Sequence, residues 1–132
     1  MPINVLHIDH LVLIATDAER LVGFYQTVLG LELERSIEGG LYQLRAGSCL
    51  IDIVSADSGF LHAAPGTGGL DHFCLRVEPF DAARLTDWLS RHGVSCSDEQ
   101  RVYGADGFGP AIYFDDPEGN TVELKGPASA QD

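Results

Sequence analysis

Two histidines and two carboxylates stand at matching places in this chain. Residues 9–13 read DHLVL and residues 71–75 read DHFCL, an offset of 62. Asp52 lies in CLIDIV and Glu123 in TVELK, each inside a short, otherwise apolar run. Side chains alternate along a strand. His10, Val12 and Ile14 therefore share one face, opposite Leu11 and Leu13. His72, Cys74 and Arg76 share a face in the matching strand. Leu50, Asp52 and Val54 oppose Ile51 and Ile53, and Thr121, Glu123 and Lys125 oppose Val122 and Leu124. A carboxylate in such a strand is costly unless paired or bound to metal. Two imidazoles with one or two carboxylates suit a divalent first-row metal and leave coordination positions open for a reaction. A lone strand histidine is ordinarily a hydrogen-bonded core residue, and a lone terminal-strand Glu is ordinarily solvated. The repeat requires four such accidents to coincide.

The elements that position these residues repeat as well. After each His-bearing strand comes a helical pattern, with Leu21, Phe24, Tyr25 and Val28 on one face of the first and Leu85, Trp88 and Leu89 on one face of the second. Asp17 and Asp81 stand at N-cap positions. Gly30 and Gly93 end the helices. Three strands follow in each half, over 31–36, 40–46 and 49–54, then over 95–102, 110–115 and 120–125. Turns fall at Glu38-Gly39-Gly40, at Ala46-Gly47-Ser48 and at Asp116-Pro117-Glu118-Gly119-Asn120. Each half reads β-α-β-β-β. The modules cover roughly 6–54 and 70–125, a linker spans 55–69, and the tail from Gly126 is loose. Two copies too small for separate cores are expected to pack as one domain.

Composition narrows the partners. The chain has 132 residues, 45% hydrophobic and 21% charged, an ordinary globular balance that excludes long disorder. A domain of this size buries roughly two-thirds of its unfolded surface and needs no disulfide or metal to fold. Eight Lys and Arg against 20 Asp and Glu give a net charge of −12, which repels nucleic acid and anionic lipid. No apolar run approaches the roughly 18 residues of a membrane span, and MPINVLHID lacks the basic start of a signal peptide. The expectation is a cytoplasmic protein. Cys49, Cys74 and Cys96 are odd in number and widely spaced, which predicts buried thiols in a reducing compartment.

IDHLVLIATDAERLVGFYQTVLGLEL resembles the opening module of the vicinal oxygen chelate superfamily, which includes glyoxalases, bleomycin-resistance proteins, extradiol dioxygenases and fosfomycin-modifying thiol transferases. FYQTVLGLEL matches its helix exit and IYFDDPEGNTVEL its ending, so the resemblance covers roughly residues 6–125. It implies an α+β fold of two βαβββ modules, whose curved, mostly antiparallel mixed sheet surrounds a cleft. It implies a homodimer, often with module exchange. Carried over, the metal ligands are His10, His72 and Glu123, with Asp52 at a fourth position that is Glu or Gln in glyoxalases. Asp is one methylene shorter, which leaves Asp52 as a ligand or as a free base. The cofactor implied is one divalent metal ion per site: zinc, nickel, manganese or iron.

The chemistry implied is lyase or isomerase chemistry on a small substrate chelated through vicinal oxygens. A carboxylate, Glu123 or Asp52, moves a proton. The alternatives are an extradiol-type dioxygenase and a metal-free binding protein of the bleomycin-resistance type. A fosfomycin-modifying transferase is disfavoured because GPASAQD after Lys125 offers no cation. Tyr113, ten residues before Glu123, falls where a Tyr faces substrate in fosfomycin-modifying relatives; otherwise it is a core aromatic. Arg76 either receives an anionic substrate group or ends its strand in solvent. His62, in the linker, is a lesser candidate for the cleft.

Overall fold

A computed structural model describes residues 4–63, 66 and 68–130. The chain divides into two compact units, Met1–Thr67 and Gly68–Asp132. The first contains β1 (His10–Ala15), α1 (Ala18–Thr27), β2 (Glu32–Ile37), β3 (Leu41–Ala46) and β4 (Cys49–Ser55). The second contains β5 (His72–Arg76), α2 (Ala82–Arg91), β6 (Gln100–Gly104), β7 (Gly107–Asp115) and β8 (Thr121–Lys125). Both sheets are mixed and share one topology, β1-β4-β3-β2 and β5-β8-β7-β6. In each, the first and last strands pair in parallel and the remaining pairs are antiparallel. This is the α+β fold of two βαβββ modules that the repeat predicts.

The helices begin where their caps predict. The Asp17 carboxylate accepts from Arg20 N at 3.1 Å, and that of Asp81 from Arg84 N at 3.2 Å. Each satisfies one of the amides that a helix start leaves unpaired. Gly30 and Gly93, just beyond the helix ends, take φ of 70° and 76°, backbone that only glycine adopts without strain.

Alternation decides the core of the first unit. Leu13, Ile51 and Ile53 are buried together with Leu21, Val22 and Tyr25 of α1, whereas Val12 and Ile14 remain partly exposed on the opposite face. The second unit departs from expectation in two places. Residues 95–99 form no strand beyond a single bridge from Cys96 to Phe114, and β6 begins at Gln100. In α2 only Leu89 is buried; Trp88 keeps 42% of its surface and lies edge-on to the His92 ring at 4.5 Å.

The linker also differs. Its first half folds back on the first unit, with Ala56 N bonded to Ala15 O at 2.9 Å and Ser58 N to Ser55 O at 3.0 Å. The tail is tied too: Gly126 N bonds Pro110 O and Ser129 N bonds Phe108 O, both at 2.8 Å. None of the three free cysteines is buried, contrary to expectation. Among the described residues, no helix is long and apolar enough to cross a membrane.

Candidate functional site

The strand register is the same on both sides of the inner strand of each unit. Asp52 sits between Val12 on β1 and Gln43 on β3. Glu123 sits between Cys74 on β5 and Tyr113 on β7. Asp52 and Glu123 are therefore equivalents in the centres of their sheets, and each is only 5% exposed. His10 and His72 start the equivalent edge strands.

In the second unit the carboxylate and the histidine meet. His72 Nε2 lies 3.2 Å from Glu123 Oε1, and His72 Nδ1 lies 2.7 Å from Asp71 Oδ2. The hydrogen bond to Asp71, then the Glu123 charge, raise the His72 pKa against the opposing effect of burial. An imidazole whose Nδ1 is held by a carboxylate presents Nε2 in a fixed direction, as metal-bound histidines do. The Tyr113 ring stands edge-on to His72 at 5.6 Å. Burial and the Glu123 carboxylate hold the Tyr113 hydroxyl above the usual phenol range, so it keeps its proton and acts as a donor.

Cys74 also faces Glu123. Desolvation, then the carboxylate, push its thiol up to about 12 from an ordinary 9.0. Thiols react as thiolates. In chelator-treated protein at pH 8, Cys74 is expected to alkylate on the order of 100 to 1000 times more slowly than an ordinary cysteine. The rate should climb with pH toward 12, and Glu123→Gln should accelerate it. Residue-resolved mass spectrometry of iodoacetamide labelling checks this; fast labelling of Cys74 at pH 8 would contradict it.

Beside these groups lies a pocket of about 210 Å³, bordered by Cys74, Arg76, Tyr103, Glu123 and Lys125. Lys125 is 4% exposed, its stem occupying space that a side chain at Gly104 would fill. Arg76 is no free cation: Glu78 lies 2.9 Å and Asp106 3.7 Å from its guanidinium.

The first unit arranges the same positions differently. His10 Nδ1 lies 2.8 Å from Asp9 Oδ2, repeating the Asp71–His72 pair, and that bond, with the more distant Asp52 charge, raises its pKa against desolvation. Asp52 does not meet His10. Its Oδ2 accepts from Gln43 Nε2 at 3.1 Å, and Arg35 Nε donates to Gln43 Oε1 in turn. Asp52 Oδ1 is buried with no hydrogen-bond partner. The missing methylene accounts for the difference, because Glu123 reaches its histidine and Asp52 stops at its neighbour. A pocket of about 310 Å³ opens here, bordered by His10, Val12, Ile14, Asp52, Phe60 and His62 among others.

Gln43 and Lys125 are the residues that sequence reasoning passed over. Lys125 was legible as sharing a face with Glu123. Gln43 becomes visible only through the β3–β4 register.

The family model for the Glyoxalase/Bleomycin resistance protein/Dioxygenase superfamily matches residues 7–124. The chain belongs to this superfamily. It is 28% identical over 117 residues to the glutathione transferase FosA of Serratia marcescens, covering 89% of this chain and 78% of that protein. An integron cassette protein of V. cholerae matches with a TM-score of 0.81 and 25% identity, over 97% of this chain and 100% of its own. The lactoylglutathione lyase of Agrobacterium tumefaciens matches with a TM-score of 0.72 and 23% identity, over 93% and 95%. This last likeness is one of fold. A glyoxalase-superfamily chain with one His–carboxylate pair closed and its counterpart open is thus asymmetric at the places where its two modules correspond.

Proposed function

We propose that this protein is a metal-dependent enzyme of the glyoxalase type, acting as a lyase or isomerase on a small substrate with vicinal oxygens. The observation that carries this reading is the His72–Glu123 pair at 3.2 Å, with Asp71 fixing the imidazole from behind. The donors fit a divalent ion: an imidazole backed by a carboxylate, at His72, and one buried carboxylate, at Glu123. Among the described residues no group of three or more His, Cys, Asp or Glu is gathered closely enough to hold a metal. His72 and Glu123 therefore supply two donors, both from the second unit. Asp52, tied to Gln43, stands outside this set.

A bound divalent ion supplies Lewis acidity toward the substrate oxygens. The chain's own residues do the rest. Tyr113, holding its proton, donates a hydrogen bond to a substrate oxygen, and Glu123 is the carboxylate placed to move a proton. The small pocket that Glu123 borders admits a compact substrate.

A second reading, thiol transfer of the kind named for the Serratia relative, is favoured by that likeness over 89% of the chain and by Tyr113 beside Glu123.

Metal analysis tests the proposal. Untagged protein purified without chelator is expected to carry about one zinc, nickel, manganese or iron per ligand set. His72→Ala and Glu123→Ala should each lose it. Absence of metal from the wild type after reconstitution with each of these ions would overturn the reading. Metal-loaded protein assayed for isomerisation of α-keto thiol adducts, and for glutathione-dependent consumption of fosfomycin, separates the two reactions.

A further inference from the structure

Asp52 is the one buried side chain among the described residues that carries an unpartnered polar atom. Leaving a buried acceptor unpaired is costly, and more so when it is charged. Only one of its oxygens is served, by a neutral amide. Arg35 ends on Gln43 and fixes which way that amide points, so the cation orients the chain of bonds without pairing with Asp52. His10, which shares the pocket, spends Nδ1 on Asp9. His62 also borders the pocket, and the rest of the wall is apolar, from Val12, Ile14, Val54 and Phe60 among others. The volume of about 310 Å³ lies at the small end of ligand sites.

We propose that this first-unit pocket recognises a protonated amine carried on a compact apolar body, with Asp52 as its counter-charge. An ammonium satisfies the orphaned Oδ1 and compensates the buried charge together, which a hydroxyl does only in part. A carboxylate or phosphate is rejected by the same oxygen. The assignment gives Asp52 a role in choosing substrate rather than in holding metal or moving a proton. It goes beyond the metal reading and does not rest on it, because the recognising group is the Asp52 carboxylate, which stands outside the proposed donors.

The experiment uses the full chain after chelator treatment, so that loss of metal and loss of this site are separate results. Three probes share one body and differ in head group: 2-phenylethylammonium, 2-phenylethanol and 3-phenylpropanoate. Titration by amide NMR at neutral pH should show the ammonium binding about tenfold or more tighter than the alcohol, with shifts on β1 and β4. The carboxylate should not bind. Asp52→Asn should weaken the ammonium about tenfold or more and narrow its lead over the alcohol. Val12→Trp, at a half-exposed wall position, should block binding without disturbing the core, and it decides the matter if Asp52→Asn fails to fold. Equal binding of the carboxylate or the alcohol would overturn the proposal. So would unchanged ammonium binding in a folded Asp52→Asn, or no binding of any probe by the wild type.

Discussion

Glu123→Gln is expected to strip the protein of bound metal while leaving it folded. The amide keeps the size of the side chain and one oxygen to face His72, so the β5–β8–β7 strands lose no volume. It removes the proposed anionic donor from a position 5% exposed, where solvent cannot replace it. Outer-shell changes around a metal cost about 10–100-fold in affinity, and loss of an anionic ligand should cost more. The measurement is metal per chain by mass spectrometry after equilibration in buffered metal, beside circular dichroism of the same sample. A folded variant that retains the wild-type metal content would show that Glu123 is not a ligand.

The same change has a pH signature in metal-free protein. Asp71 and then Glu123 raise the His72 pKa above its ordinary 6.5. A raised folded-state pKa means that the folded chain binds the proton more tightly than the unfolded one. The stability this contributes is fully present below the unfolded pKa and is lost as pH rises through the folded pKa. In Glu123→Gln that dependence should shrink, leaving the share due to Asp71. Urea midpoints on both sides of the His72 titration read the difference. His72 is over a third exposed, so the effect is modest beside the loss of metal.

Ile53→Ala should produce the largest loss of stability in the first unit. Ile53 is fully buried on the central strand, paired with Leu13 of β1 and Tyr42 of β3, and α1 lies against the same strand. Removing three carbons there leaves a cavity that the flanking strands cannot close. The expected cost is about 2–5 kcal/mol. Val12→Ala, on the exposed face of the adjoining strand, should cost well under half as much, because nearly half of its surface is already in water. Thermal denaturation should show Ile53→Ala melting about 10 °C or more below the wild type. Equal melting points for the two variants would mean that the buried face of this sheet has been misassigned.

The comparison of Ile53 with Val12 shows why so much of the fold was legible. Alternation at period two sorts β1 into a wet and a dry face: His10, Val12 and Ile14 are exposed, Leu11 is half-buried and Leu13 is buried, whereas the inner strands β4 and β8 are buried on both faces. The caps at Asp17 and Asp81 and the glycines at 30 and 93 are local signals, decided by backbone chemistry within one turn. Residues 95–99 failed as a strand because polar Ser97, Asp98 and Glu99 interrupt the pattern, and Ser97 instead bonds Tyr113, its amide to the carbonyl at 2.9 Å and its hydroxyl to the amide at 3.0 Å. The apolar face of α2 was read correctly as a pattern, yet pattern alone does not state how much of a face is covered. Trp88 stays 42% exposed.

At the candidate site the division is sharper. The sequence by itself determined that His10 and His72 stand at equivalent places, that Asp52 and Glu123 each stand inside a short, otherwise largely apolar strand, and that the two halves repeat. Those conclusions need only period and spacing. Which carboxylate meets its histidine was left to the tertiary structure. That meeting depends on the length of one side chain across one parallel strand pair, together with what stands on the other flank: Tyr113 beside Glu123, but Gln43 beside Asp52. Gln43 competes for the shorter carboxylate and turns it from the histidine, because a hydrogen bond is won by the partner within about 3 Å rather than by the partner that symmetry suggests.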